Sequence, residues 1–98
     1  MQILSKKMLT DFWLRHPRSE TALRYWHSVV RQAKWKTPHD VKEVFGTTVD
    51  FIGDNRAVFD ISGNTFRLVV RISFPYQRIM IKFVGTHSEY DAINAETV

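Results

Sequence analysis

The chain is expected to form an α+β domain in which helices come first, a run of strands follows, and one short helix ends the order. Three observations lead to this expectation. Apolar residues recur at helical spacing from Leu9 to about Ala33, the period changes to two from Thr48 onward, and the two kinds of segment are separated rather than interleaved. A length of 98 residues suits one domain, residues 1–98, and no repeat, linker or low-complexity tract interrupts it.

Met1 to Leu4 reads as a short edge strand. Ser5 is the expected N-cap of a first helix reaching about His16, with Leu9, Phe12, Trp13 and His16 on one face and Pro17 as its stop. A second helix is expected from about Ser19 to Lys34. Its stripe of Ala22, Leu23, Trp26, Val29, Val30 and Ala33 faces the sheet, and Arg24, Arg31 and Gln32 face away. Trp26 has aliphatic neighbours at helical spacing and is assigned to the core rather than to stacking on a base. Thr37-Pro38 opens a short helix near Asp40 to Phe45, and Gly46 closes it. Strands then follow at Val49–Ile52, Arg56–Ile61, Thr65–Phe74 and Gln77–Gly85, separated by turns at Gly53-Asp54-Asn55, Ser62-Gly63-Asn64 and Pro75-Tyr76.

Alternation along the two longest strands sets the faces of the sheet. Phe66, Leu68, Val70, Ile72 and Phe74 point one way, and Arg67, Val69, Arg71 and Ser73 the other. On the return strand Ile79, Ile81 and Phe83 form the apolar set, and Arg78, Met80, Lys82 and Val84 the second. A two-residue turn at Pro75-Tyr76 pairs Ile72 with Ile79, Val70 with Ile81, Leu68 with Phe83 and Val69 with Lys82. Lys82 then falls diagonally between Arg67 and Arg71. Clustered cations on one face suit an arriving anion; the plainer alternative is a solvated face with Asp60 as a counterion beside Thr65 or Arg67.

Thr86-His87-Ser88-Glu89 has the spacing of a capping box, which starts a last helix at His87 and carries it to about Ala95. His87, Tyr90 and Asp91 stand at i, i+3 and i+4 and share one side of its first turn. A neutral imidazole can accept a proton, a carboxylate can orient it, and a phenol can donate or accept a hydrogen bond.

Composition narrows the chemistry. With no cysteine there is no disulfide, thiolate zinc site or thiol nucleophile. His16, His27, His39 and His87 are scattered without ligand spacing, and no glycine-rich phosphate loop occurs, so no catalytic metal and no cofactor are expected. There is no apolar run long enough to span a membrane and no signal-peptide core, so a cytoplasmic protein with no membrane partner is expected. A net charge of +4 and a pI of about 9.7 favour a polyanionic partner.

The segment Phe59-Asp-Ile-Ser-Gly-Asn-Thr-Phe-Arg-Leu-Val-Val-Arg-Ile-Ser-Phe, with Ile81-Lys-Phe-Val-Gly-Thr-His-Ser-Glu-Tyr-Asp after it, resembles the HigB-type toxins of the RelE superfamily. The Gly-Asn-x-x-Arg-Leu-Val turn and strand and the Thr-His-x-Glu-Tyr-Asp ending are the specific parts. The resemblance implies a RelE-like fold, with two N-terminal helices packed on a curved antiparallel sheet and a short C-terminal helix. It implies the toxin of a toxin–antitoxin pair, which cuts mRNA on the ribosome and halts translation. A cognate helix-turn-helix antitoxin of the HigA kind would neutralise it, and operator DNA would be reached only through that antitoxin. Carried over by motif, the catalytic candidates are Arg67, Arg71, Lys82, His87, Tyr90 and Asp91. Lys34, Lys36, Lys42 and Arg78 are candidates for binding mRNA or ribosomal RNA.

The expected reaction is metal-independent transesterification. His87 or Lys82 would take the 2′ proton, Arg67 and Arg71 would stabilise the phosphorane-like charge, Tyr90 or His87 would protonate the leaving oxygen, and Asp91 would orient His87. The rival readings are a non-catalytic nucleic-acid-binding module, a gyrase-directed toxin of the ParE kind, and an interaction domain without activity.

Overall fold

The computed structural model describes residues 1–98. Pleat and helical period together place most large apolar side chains on one side of a five-stranded sheet. The elements run β1 (Gln2–Leu4), α1 (Lys7–Arg15), α2 (Glu20–Gln32), α3 (Pro38–Phe45), β2 (Val49–Ile52), β3 (Arg56–Ile61), β4 (Phe66–Ser73), β5 (Arg78–Thr86) and α4 (His87–Asp91). No helix is long and apolar enough to cross a membrane.

Strand order is β1-β5-β4-β3-β2. β2 to β5 form the expected antiparallel meander, but β1 lies parallel to β5, with Gln2 opposite Arg78 and Leu4 opposite Met80. The sheet is therefore mixed, a correction to the antiparallel expectation. Three helices separate β1 from the meander, which lets the first strand approach the far edge in β5's direction. The Met1 nitrogen donates to the carbonyls of Val30, Arg31 and Ala33, which ties β1 to the end of α2.

One core joins Leu9, Phe12 and Trp13 of α1, Leu23, Trp26 and Val30 of α2 and Val41 of α3 to Phe59, Ile61, Phe66, Leu68, Val70, Ile72, Ile79 and Ile81 of the sheet. Trp26 is 1% exposed and meets Phe59 edge-on at 5.5 Å, so it is a core residue.

Element ends differ from expectation where local backbone decides. Ser5 adopts φ +69° and makes no side-chain cap; Lys6 holds the cap position of α1 instead. Thr37 does cap α3, with its hydroxyl accepting from Asp40 N while the Asp40 carboxylate accepts from Thr37 N. Gly46, at φ +56°, ends α3 in a conformation that a β-carbon disfavours. α4 stops at Asp91, not Ala95, because the chain turns at Asn94, whose carbonyl accepts from Thr97 N and Val98 N.

The largest correction concerns β5. Ile72 faces Ile79 and Val70 faces Ile81 as expected, but a bulge at Val69/Val70 then shifts the register by one. Val69 sits opposite Phe83 rather than Lys82, and Leu68 opposite Val84 rather than Phe83. Phe83 thereby moves to the face away from the helices, and Val84 packs against the core. Gly85 is what accommodates this: a β-carbon there would lie 2.5 Å from Phe83 Cζ, so only the bare backbone lets the ring fold over it.

Candidate active site

The face of the sheet away from the core carries Arg67 and Arg71 on β4, and Arg56 and Asp60 on β3. Its two ends differ in character.

At one end α4 begins. Thr86 Oγ1 accepts from Glu89 N at 3.2 Å, and the Glu89 carboxylate accepts from Thr86 N at 2.8 Å. That backbone bond is the main reason the Glu89 pKa lies below its ordinary value, with smaller help from the Thr86 hydroxyl, His16 and Arg15 against the opposing effect of burial. The capped turn presents His87 at the surface, with Nδ1 3.0 Å from Asp91 Oδ2. Tyr90 is half-buried between the Phe83 ring, 6.5 Å away by centroid, and the Arg67 guanidinium, 6.0 Å from its own ring.

Arg67 is 8% exposed, and four of its five N–H groups face acceptors: Nε lies 3.3 Å from Asp60 Oδ1, Nη1 donates to the carbonyls of Asn64 and Phe66, and Nη2 to Asn64 Oδ1. A guanidinium so engaged makes a floor beneath Tyr90. Asp60 does pair with Arg67, opposite it in register.

At the other end lies a cleft of about 410 Å³ whose lining includes Arg71, Arg78, Met80, Lys82, Tyr76 and Asn55. Arg71 is exposed and bonded to Asp54, with Nη2 3.1 Å from Oδ1. Arg78 lies 5.8 Å from the Tyr76 ring. Lys82 sits half-buried at the bulge. Four residues lie between Lys82 and His87, at most about 16 Å of extended chain. By contact the six catalytic candidates fall into two groups: His87 with Asp91 and Tyr90 with Arg67 around α4, and Arg71 and Lys82 lining the cleft with Arg78.

Lys34 and Lys36 line a second open cleft, of about 850 Å³, with Arg31, Phe74, Pro75 and Gln77. It shares Pro75 with the Arg71 cleft, so the two lie on either side of the β4–β5 turn. Lys42, on α3, lines neither.

Comparison with known proteins adds the family. Residues 19–93 match the HigB toxin family, described as the RelE-like toxic component of a toxin–antitoxin system. The chain belongs to the HigB toxin family. It is similar to the mRNA interferase toxin HigB of Escherichia coli K12, with 31% identity over 97% of this chain and 92% of that one. It is also similar to the mRNA interferase HigB of Escherichia coli O6:H1, with 28% identity over 95% and 91%.

Four residues of this HigB-family chain that bear on the site were missed in the sequence. Asn64 carries only a turn signal, although its place three before Arg67 brings it to that guanidinium. Asp54 likewise carries only a turn signal. Alternation puts Phe83 in the core because a bulge leaves no mark in an alternating pattern. Arg56 is legible only as the start of a strand.

Proposed function

We propose that this protein is an mRNA endonuclease, the toxin of a toxin–antitoxin pair, cutting messages on the ribosome in the cytoplasm and so stopping translation. One observation supports this above the rest: an exposed imidazole is held through one ring nitrogen by Asp91, beside a phenol resting on a fixed arginine. With Nδ1 occupied, Nε2 is the nitrogen left to face RNA. In the proposed reaction His87 takes the proton from the 2′-hydroxyl, the 2′-oxygen–phosphorus bond forms as the phosphorus–5′-oxygen bond breaks, and Tyr90 gives its proton to the departing 5′-oxygen. Nucleophile, phosphorus and leaving oxygen all belong to the RNA, so the step calls for acid, base and charge stabilisation and not for a metal-bound nucleophile. Arg71, Arg78 and Lys82 hold phosphates on the neighbouring stretch of message, where Arg71 exchanges Asp54 for phosphate. Lys34 and Lys36 contact ribosomal RNA. A helix-turn-helix antitoxin of the HigA kind is the proposed neutralising partner.

The test is cleavage of a defined message on programmed ribosomes. Expected products end in a 2′,3′-cyclic phosphate or 3′-phosphate and a 5′-hydroxyl. A 2′-deoxy substitution at the cut site abolishes cleavage, and His87→Ala lowers the rate by about 10²-fold or more. Cutting of the 2′-deoxy message would sink the chemistry, and a wild-type rate from His87→Ala would sink the site.

A further inference from the structure

We infer that Arg56 is a positioning residue for the site on α4, because it clamps the chain leaving that helix against β3; this rests on the cutting site proposed above. Arg56 begins β3 on the face away from the helices and is 8% exposed. Its Nη1 donates to the carbonyls of Ala95, at 3.2 Å, and Val98, at 2.8 Å, across 39 and 42 residues of sequence.

α4 has five residues, too few to hold itself in water. Its start is fixed twice, by the Thr86–Glu89 box and by His87 N donating to Thr65 O at 3.1 Å. Its end is followed by Ile93 N donating to Tyr90 O, and then by the Asn94 turn that presents two carbonyls to Arg56. Tyr90 and Asp91 thus stand between two anchors, the box and the clamp.

A second observation agrees. Val58 and Val69 are partners across β3 and β4, both are buried, and neither belongs to the core on the helix side. This face therefore has a cover of its own, and Ile93, Ala95 and Val98 are half-buried in the segment that Arg56 draws across it. Nε of Arg56 is buried without a partner, so the two acceptors of Nη1, Ala95 O and Val98 O, are what offsets burying this guanidinium. Arg71 is the register partner of Arg56 but is exposed and bonded to Asp54, so the two arginines divide the work.

The experiment compares full-length Arg56→Met, Arg56→Lys and His87→Ala on programmed ribosomes, with thermal melting and amide exchange alongside. Arg56→Met is expected to lower the rate constant at saturating ribosomes about tenfold or more, through misplaced reacting groups, with the half-saturating concentration unchanged. Protection at Ala92, Ile93 and Val98 is expected to fall while that of β4 holds. Arg56→Lys restores most of the rate, because one nitrogen serves both carbonyls. Asn94→Ala removes the Oδ1 that accepts from Glu96 N at 2.9 Å, which loosens the same turn without touching Arg56 and lowers the rate in the same direction. A folded Arg56→Met cutting at the wild-type rate overturns the inference. So does a loss confined to the half-saturating concentration, which would mark Arg56 as an RNA contact. If Arg56→Met does not fold, a wild-type rate from Asn94→Ala overturns it. When His87→Ala is inactive, such results count against Arg56 alone; when His87→Ala is fully active, the site itself falls.

Discussion

Two arginines on β4 that look alike in the sequence have different duties at the level of single residues. Arg67 is buried among Asp60, Asn64 and the Phe66 carbonyl, whereas Arg71 is exposed with one exposed partner. Arg67→Ala leaves Asp60 and Asn64 without their partner and is expected to cost about 1–3 kcal/mol of stability. Arg71→Ala is expected to cost about 1 kcal/mol at most, since exposed pairs contribute little, while still lowering cleavage. Denaturant unfolding of the two variants checks this; equal losses would contradict it. Gly85→Ala is the sharper test of local space. Its new methyl meets Phe83, and the expected loss is about 1–3 kcal/mol by overpacking, with cleavage reduced because Phe83 bears on Tyr90. The sequence showed that β4 alternates, and hence that both arginines share a face. It did not show which would be consumed by neighbours, because that depends on Asn64 and Asp60 converging from a turn and an adjacent strand.

Among the elements, α4 was legible because its cap is a local motif: Thr86 and Glu89 stand at fixed spacing and make both expected bonds. That cap carries a pH signature. The folded pKa of Glu89 is lowered chiefly by the Thr86 N–H, so its contribution to stability is complete above the ordinary glutamate value, about 4.3, and is lost as pH falls through the depressed folded value. Melting temperature should therefore fall on acidification in the range below about pH 4.3. Glu89→Gln, which can keep the bond without titrating, should shrink that fall, and an unchanged acid limb would argue against the capping account. Thr86→Ala should cost about 1 kcal/mol. The register of β5 was legible only as far as Ile81. Alternation says which residues share a face while the count is unbroken; the bulge that breaks it leaves Phe83 over Gly85, a contact between side chain and backbone that a two-residue period does not encode.

Across the whole molecule, the positive charge is gathered on both sides of the β4–β5 turn, with Arg71, Arg78 and Lys82 on one side and Arg31, Lys34 and Lys36 on the other. If both clefts meet RNA phosphates, ribosome affinity falls steeply with salt, and the double change Lys34→Ala and Lys36→Ala reduces the slope of log K against log salt by about 1 to 2. Lys42→Ala leaves the slope unchanged, since that side chain lies in neither cleft. Binding measured at a series of potassium concentrations decides between these. The α+β class was readable because helical and strand periods occupy separate halves of the chain. The parallel edge was not, because pairing between residues 2–4 and 78–80 leaves no trace in either segment alone.

That edge pairing has a consequence for the order of assembly. The first strand of the chain finds its place only beside β5, which is synthesised late, and α4 comes later still. A nascent chain that has not reached Arg78 has no neighbour for its leading strand, no Tyr90 above Arg67 and no His87. The proposed blade is thus made after the sheet it rests on, and a chain that has not yet reached α4 is blunt toward the ribosome making it.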